Sequence, residues 1–132
     1  MTKKRFAYAL AGGMMAAFST ASEAQAESCR IKTVGEASLY GPGLQGNQTA
    51  NQERFDMNGR ENTAAHKTLP FNSLVRVTDL KTGKQITVRI NDRGPYIAGR
   101  IIDLQQATAY RFGLTKQRGV TDVRLAVLRC GD

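Results

Sequence analysis

Metal-ligating side chains are scarce in this chain: its 132 residues include one histidine, His66, and two cysteines, Cys29 and Cys130, almost the whole mature length apart. Two distant thiols and one imidazole cannot close a tetrahedral site, so no resident metal is expected. Nothing in the sequence calls for another cofactor. Tryptophan is missing, and the nine tyrosines and phenylalanines are scattered rather than interleaved with arginines. The stacking platform of a nucleic-acid binder is therefore not expected. No apolar run reaches the roughly 20 residues of a membrane-spanning helix, and there is no internal repeat, low-complexity tract or linker.

What is present begins with a leader. "MTKKRF" is a basic opening, "AYALAGGMMAAF" a short apolar run interrupted by glycine, and "AQA" at Ala24 to Ala26 a small-x-small cleavage site. Together they read as a secretory signal peptide over residues 1–26. Cleavage there leaves 106 residues, from Glu27 to Asp132, enough for one domain with a modest core. The leader takes three cations and one acid with it, so the net charge falls from +8 to +6. A basic exported protein is attracted to anionic envelope polymers. In an oxidising compartment Cys29 and Cys130 read as one disulfide tying the ends together, worth up to roughly 4 to 5 kcal/mol in the chain-entropy model. The competing reading makes Cys29 the lipidated N-terminus of a lipoprotein. Against it stands Ala26-Glu27-Ser28, which carries an acid and no leucine before the cysteine.

The mature chain reads mostly as short strands. "TVGEASLYG", residues 33–41, is a first strand running into the turn-rich "GPGLQGN". Residues 51–65 read as irregular loop or a short helical turn. "SLVRVTDL" and "QITVRIND" alternate apolar and polar residues around the turn "KTGK", which predicts a hairpin with one face in a core. "RIIDL" is a short strand leading into a helix over 104–112, with Asp103 as N-cap and Gly113 at its end. "TDVRLAVLRC" closes the chain as a last strand. Short strands, glycine-rich corners and one small helix in about 100 residues point to a small closed barrel, which leaves no exposed sheet edge. A sandwich fits the pattern as well.

One strand end stands out. In "QITVRIND" the side chains of Ile86, Val88 and Ile90 share a face, and Asp92 is next in that series. A carboxyl group half in an apolar interior and half in a groove can hold a proton and act as a general acid. The plainer alternative is that Asp92 caps the turn of "NDRGP".

Further segments stand beside this one in a fixed order: "GEASLYG" (35–41), "ERFDM" (53–57), "TAAHKTLPF" (63–71), "VRVT" (75–78), "VRINDRGP" (88–95) and "GRIIDL" (99–104). Set out in this order, from Gly35 to Leu128, the chain resembles the rare lipoprotein A (RlpA) family of septal lytic transglycosylases. The resemblance implies an all-β fold, a six-stranded double-psi β-barrel with one or two short helices. It also implies endolytic cleavage of the β-1,4 bond between N-acetylmuramic acid and N-acetylglucosamine in peptidoglycan, with formation of 1,6-anhydromuramic acid ends. By position, Asp92 corresponds to the family's catalytic acid/base, and His66 and Glu53 to its supporting residues. Four departures accompany the match: Leu39 where tryptophan is common, no histidine near Gln45, Gln52 in place of glycine, and two extra residues in "MNGREN".

Tyr40, Arg93 and Tyr96 are the expected substrate contacts, while Phe55 suits either the groove wall or the core. Gly94, Pro95 and Gly99 read as backbone devices of a tight connection, and Arg76, Lys84, Arg89 and Arg124 as solvated surface. The expected partners are peptidoglycan glycan strands and cell-division or cell-wall proteins, met by a monomer in the periplasm or cell envelope. The expectation is a barrel without the glycan-binding SPOR module that family members often carry. Two other classes share such a barrel: a non-catalytic, expansin-like wall-binding module and a secreted protein-interaction or inhibitor domain.

Overall fold

The computed structural model describes residues 21–40 and 47–132. The leader therefore lies largely outside the described residues, as do most of the turn-rich segment after the first strand and Gln45 within it. A helix, α1 (Ala21–Ser28), precedes six strands: β1 (Val34–Tyr40), β2 (Thr63–Ala65), β3 (Leu74–Asp79), β4 (Gln85–Asp92), β5 (Arg100–Gln105) and β6 (Val120–Arg129). A second helix, α2 (Gln106–Phe112), lies between β5 and β6. The strands close into a barrel in the order β1-β5-β2-β4-β3-β6. No helix among the described residues is long and apolar enough to cross a membrane.

The alternation read in the sequence becomes the inner face of this barrel. Ala37, Ala64, Val75, Val77, Val88, Ile90, Ile102, Leu104, Val123 and Leu125 meet in one core, with Ala109 and Phe112 of α2 joining them. β3 and β4 form the expected antiparallel hairpin, with Val75 opposite Val88 and Val77 opposite Ile86. Two parallel pairings, β1 with β5 and β2 with β4, interlock the halves of the chain. This closed six-stranded arrangement agrees with the double-psi expectation rather than with a sandwich. At the other end of the sequence, Cys29 and Cys130 form a disulfide across a separation of 101 residues, with Cα atoms 6.0 Å apart.

Three local expectations are corrected. Residues 63–65, expected to be irregular, form the short strand β2 between β4 and β5. Three residues are too few to show a period, so the burial of all three is a tertiary effect. Asp103 does not cap the helix: it lies inside β5, and Gln105 is the N-cap, its Oε1 accepting the Thr108 amide at 2.9 Å. Gly113 does end the helix, in the left-handed region at φ 98°. Asp92 does not continue the face of Ile86, Val88 and Ile90. The pairing of β2 with β4 runs Ala64 to Ile90 and then Ala65 to Asp92, so Asn91 is an extra residue in a β-bulge. A bulge shifts the phase of side-chain alternation by one. Ala64 joins the central core cluster while its neighbour Ala65, though 3% exposed, lies outside it, so the half-buried Asp92, opposite Ala65, emerges on the outer face.

Candidate active site

That phase shift assembles the site. On β1 the core side chains are Ala37 and Leu39, which leaves Ser38 and Tyr40 on the outer face; on β5 they are Ile102 and Leu104, which leaves Asp103 outside. Cross-strand pairing then aligns Ser38 with Asp103, Asp103 with Ala65, and Ala65 with Asp92. A row of four residues thus crosses β1, β5, β2 and β4 on one outer face. Asp92 and Asp103 stand two strands apart, about 9.5 Å between Cα atoms. Only the Ala65 methyl lies between them. Both acids are half-buried.

Each acid is held differently. Asp92 Oδ1 accepts two backbone amides, from Ala50 and from Arg93, both at 2.9 Å. Its Oδ2 has no hydrogen-bond partner among the described residues. Asp103 Oδ1 accepts the Ser38 hydroxyl. Burial pushes the Asp103 carboxyl above the usual carboxylate range; Ser38 and the charge of Arg100 oppose this, and the negative charge of Asp92 adds to it. Tyr40 joins the pair from β1. Its ring packs against Phe55 at 5.2 Å between centroids, and its buried hydroxyl has no partner among the described residues. Burial raises the Tyr40 phenol, and the charges of Asp92 and Asp103 raise it further.

His66 follows β2 directly. Its amide donates to the Asp92 carbonyl at 3.1 Å, which couples it to the acid through the backbone. The side chain, 6% exposed, accepts the Thr68 and Leu69 amides on Nδ1, both at 3.1 Å. A ring nitrogen that accepts carries no proton, so the neutral ring holds its hydrogen on Nε2. Burial, helped by the cations Arg93 and Lys67, lowers the imidazole to about 4. His66 is thus a neutral donor at neutral pH. The unfolded chain takes up a proton near pH 6.5 and the folded one only near 4, so the unfolded state binds more protons in between. Stability is expected to fall by about 2 to 3 kcal/mol as the pH drops across that window. Urea midpoints measured from pH 7 to 4 check this, and His66→Asn, which removes the chain's only histidine, should flatten the slope between pH 6.5 and 5.

Glu53 does different work from the acids. Arg89 grips it with two bonds, Nη1 to Oε2 at 2.7 Å and Nη2 to Oε1 at 2.8 Å, and Asn51 and Asn91 add two more. The Arg89 hydrogen bonds in particular hold the Glu53 carboxyl down at about 2. It stays ionised at neutral pH and cannot supply a proton. Arg89, expected to be solvated surface, is instead the centre of a cluster that also includes Glu61 and Asn72. The cluster pins the loop 49–53, whose Ala50 amide holds Asp92. Gln52, where the family has glycine, sits in that loop at φ 73°. A side chain in this region costs about 1 kcal/mol that glycine would not.

The expected substrate contacts separate. Tyr96 is 75% exposed on the connection after β4, where Gly94 and Gly99 adopt positive φ angles of 123° and 86°. Tyr40 lies by the acids. Arg93 turns away from the row: Nη1 donates to the Leu69 carbonyl at 2.8 Å and the His66 carbonyl at 3.2 Å, and its guanidinium lies 3.9 Å over the Phe71 ring. It braces the loop carrying His66. Ser38 and Asp103 were not expected in the site. The signal that marks them is the alternation of "ASL" and "IDL", in which the polar residue is flanked by core residues.

A small closed six-stranded barrel thus presents two half-buried carboxyl groups in one cross-strand row, with a tyrosine and a neutral histidine beside them. The chain belongs to the family described as lytic transglycolase, whose profile matches residues 32–125. It is similar to a probable endolytic peptidoglycan transglycosylase RlpA of Synechocystis sp., 49% identical over 107 residues that make up 81% of this chain and 32% of that protein. The endolytic peptidoglycan transglycosylase RlpA of Campylobacter jejuni is 46% identical over 97 residues, 74% of this chain and 34% of that one. The Vibrio cholerae protein of the same name is 50% identical over 94 residues, 71% and 35% respectively. The chain spans about a third of the length of these relatives. Among solved structures, a Streptomyces papain inhibitor superposes with a TM-score of 0.53 at 22% identity, over 74% of this chain and 96% of that one. An expansin of Clavibacter michiganensis gives 0.56 at 20% identity, over 77% and 52%. At such identities these two similarities establish the fold alone.

Proposed function

We propose that this protein is an endolytic peptidoglycan lytic transglycosylase of the cell envelope, with Asp92 as its acid and base. The observation that carries the reading is the half-fixed carboxyl of Asp92: one oxygen is anchored by two amides while the other has no partner among the described residues, on an outer face next to His66. The relatives' printed activity supports the same reading.

In the proposed reaction the acid form of Asp92 gives its proton to the glycosidic oxygen as the bond from that oxygen to C1 of N-acetylmuramic acid breaks. The muramic acid's own C6 hydroxyl oxygen then bonds to C1, and its proton passes to the Asp92 carboxylate. The enzyme is restored, and the products are a 1,6-anhydro end and a free 4-hydroxyl. The substrate supplies its own nucleophile in position, so no water has to be activated. His66 supports Asp92 through its backbone amide, and Tyr40 stands beside the two acids. Glu53 acts as a positioning residue through the loop 49–53.

The presence of Asp103 brings in the competing chemistry. Two carboxyl groups separated by a few ångströms more than a sugar bond can also serve a hydrolase, one as acid and one activating water. The products distinguish them. Mature protein incubated with intact peptidoglycan and with glycan strands stripped of peptide is expected to release anhydro-saccharides, lighter by one water than hydrolysis products, as read by mass spectrometry. Reducing ends would make it a hydrolase, and tight binding with no release would make it a wall-binding module.

A further inference from the structure

A concavity opens beside His66. It has a volume of about 260 Å³ and is lined by Arg30, Lys32, Lys67 and Arg100, with His66 and Ile101 among the remaining walls. The four cations come from three separate stretches: the segment after Cys29, the residue after His66, and the first residue of β5. None of them forms a salt bridge among the described residues, although the charge of Arg100 reaches Asp103. Four like charges around one hollow focus a positive potential there and raise the local concentration of anions. His66 supplies a second pointer. It is 6% exposed and lines the hollow, its Nδ1 is occupied by two amides, and its Nε2–H has no partner among the described residues.

Resting on the function proposed above, we propose that this hollow is a carboxylate subsite of the glycan trough. Its ligand is a carboxylate carried by a muramic acid next to the bond being cut. Arg100 and Asp103 belong to one strand, three residues and therefore about 10 Å apart, which puts the hollow within reach of a neighbouring sugar. The backbone bond from His66 to Asp92 ties the two places together. Lys32, Lys67 and the arginines supply charge, and Nε2–H of His66 supplies a directed hydrogen bond. Peptidoglycan offers such a carboxylate from two sources: the lactyl group of a muramic acid without peptide, or the peptide stem where one is attached.

The test separates binding from cleavage. Affinities are measured by calorimetry on Asp92→Asn protein, and product release on protein with Asp92 intact. The ligands are peptide-free glycan oligomers, the same oligomers with every lactyl carboxyl converted to its methylamide, and peptide-bearing oligomers. Protein with its native cations is expected to prefer the free-carboxylate oligomer over its amide roughly tenfold. Lys32→Gln/Lys67→Gln, at two exposed positions, is expected to bring that ratio near one. If the double variant weakens binding only of peptide-bearing oligomers, the subsite stands with the stem as its source. Equal affinities for charged and amidated oligomers, unchanged in the double variant, would overturn it. Charge discrimination without product release from any oligomer would keep the subsite and remove the transglycosylase reading.

Discussion

Asp92→Asn is expected to lower anhydro-saccharide release by about 10² to 10⁴-fold, the range a positioned general acid contributes. Its fold should be unaffected. Asparagine keeps an oxygen where Asp92 Oδ1 accepts the Ala50 and Arg93 amides, so the loop 49–53 and the turn after β4 retain their anchors. The amide that replaces Oδ2 can donate a hydrogen bond but cannot give up a proton to a departing oxygen. Circular dichroism and the melting temperature should therefore match the parent protein while mass spectrometry finds product release reduced to that extent. Asp103→Asn is the control within the same row. It keeps an acceptor for Ser38 and should cost far less if Asp92 alone carries the proton. Equal losses in the two variants would mean that the pair acts together, as in a hydrolase, and full activity in Asp92→Asn would remove it from the mechanism.

Breaking the disulfide is expected to have the largest effect on stability. The Cys29–Cys130 bond spans a separation of 101 residues, close to the whole domain. Removing such a closure costs about 2 to 5 kcal/mol, most of it through the larger freedom of the unfolded chain. For a domain of this size that corresponds to a fall of roughly 10 to 20 °C in melting temperature, measured by calorimetry on Cys29→Ala/Cys130→Ala. The intact mass should rise by two hydrogens on reduction of the parent protein and not at all in the variant. A functional consequence follows from position. Arg30 and Lys32 follow Cys29 directly and form one wall of the cationic hollow. Beyond them, the Thr33 carbonyl accepts the Leu125 amide at 2.7 Å, which ties this segment to β6. Loss of the disulfide leaves that wall held at one end only, so the preference for carboxylate-bearing oligomers should weaken together with the melting temperature.

The site also explains why its three expected members differ in chemistry. Asp92 is half-buried, and its Oδ2 has no partner among the described residues. His66 is buried, and desolvation keeps it neutral. Glu53 is clamped by Arg89 and stays ionised. A carboxylate held at about 2 by a guanidinium is a poor acid at neutral pH and a good anchor. The two extra residues of "MNGREN" lie between Glu53 and β2. The chain there carries Glu61 back to Arg89, with Nε to Oε2 at 2.6 Å, so the insertion is absorbed into the same cluster that orders the loop.

Local sequence pattern was sufficient for much of this protein. The period-two runs in "VRVT", "TVRI" and "VRLAV" put their apolar residues on the inner face because burying one side of a strand is the only way those side chains leave water. Gly113 could end a helix because it tolerates a left-handed backbone, and the sequence's two cysteines have no other thiol to pair with. Tertiary structure decided the remainder. The extra residue at Asn91 becomes visible only when β4 is laid against β2, and it moves Asp92 from the inner face to the outer one. The strand β2 is too short to announce itself and exists because β4 and β5 each need a partner. The row Ser38, Asp103, Ala65, Asp92 and the ring of cations around His66 draw on residues far apart in the chain. Their meeting depends on the register at which a sheet closes on itself, a property of all six strands together that no single segment encodes.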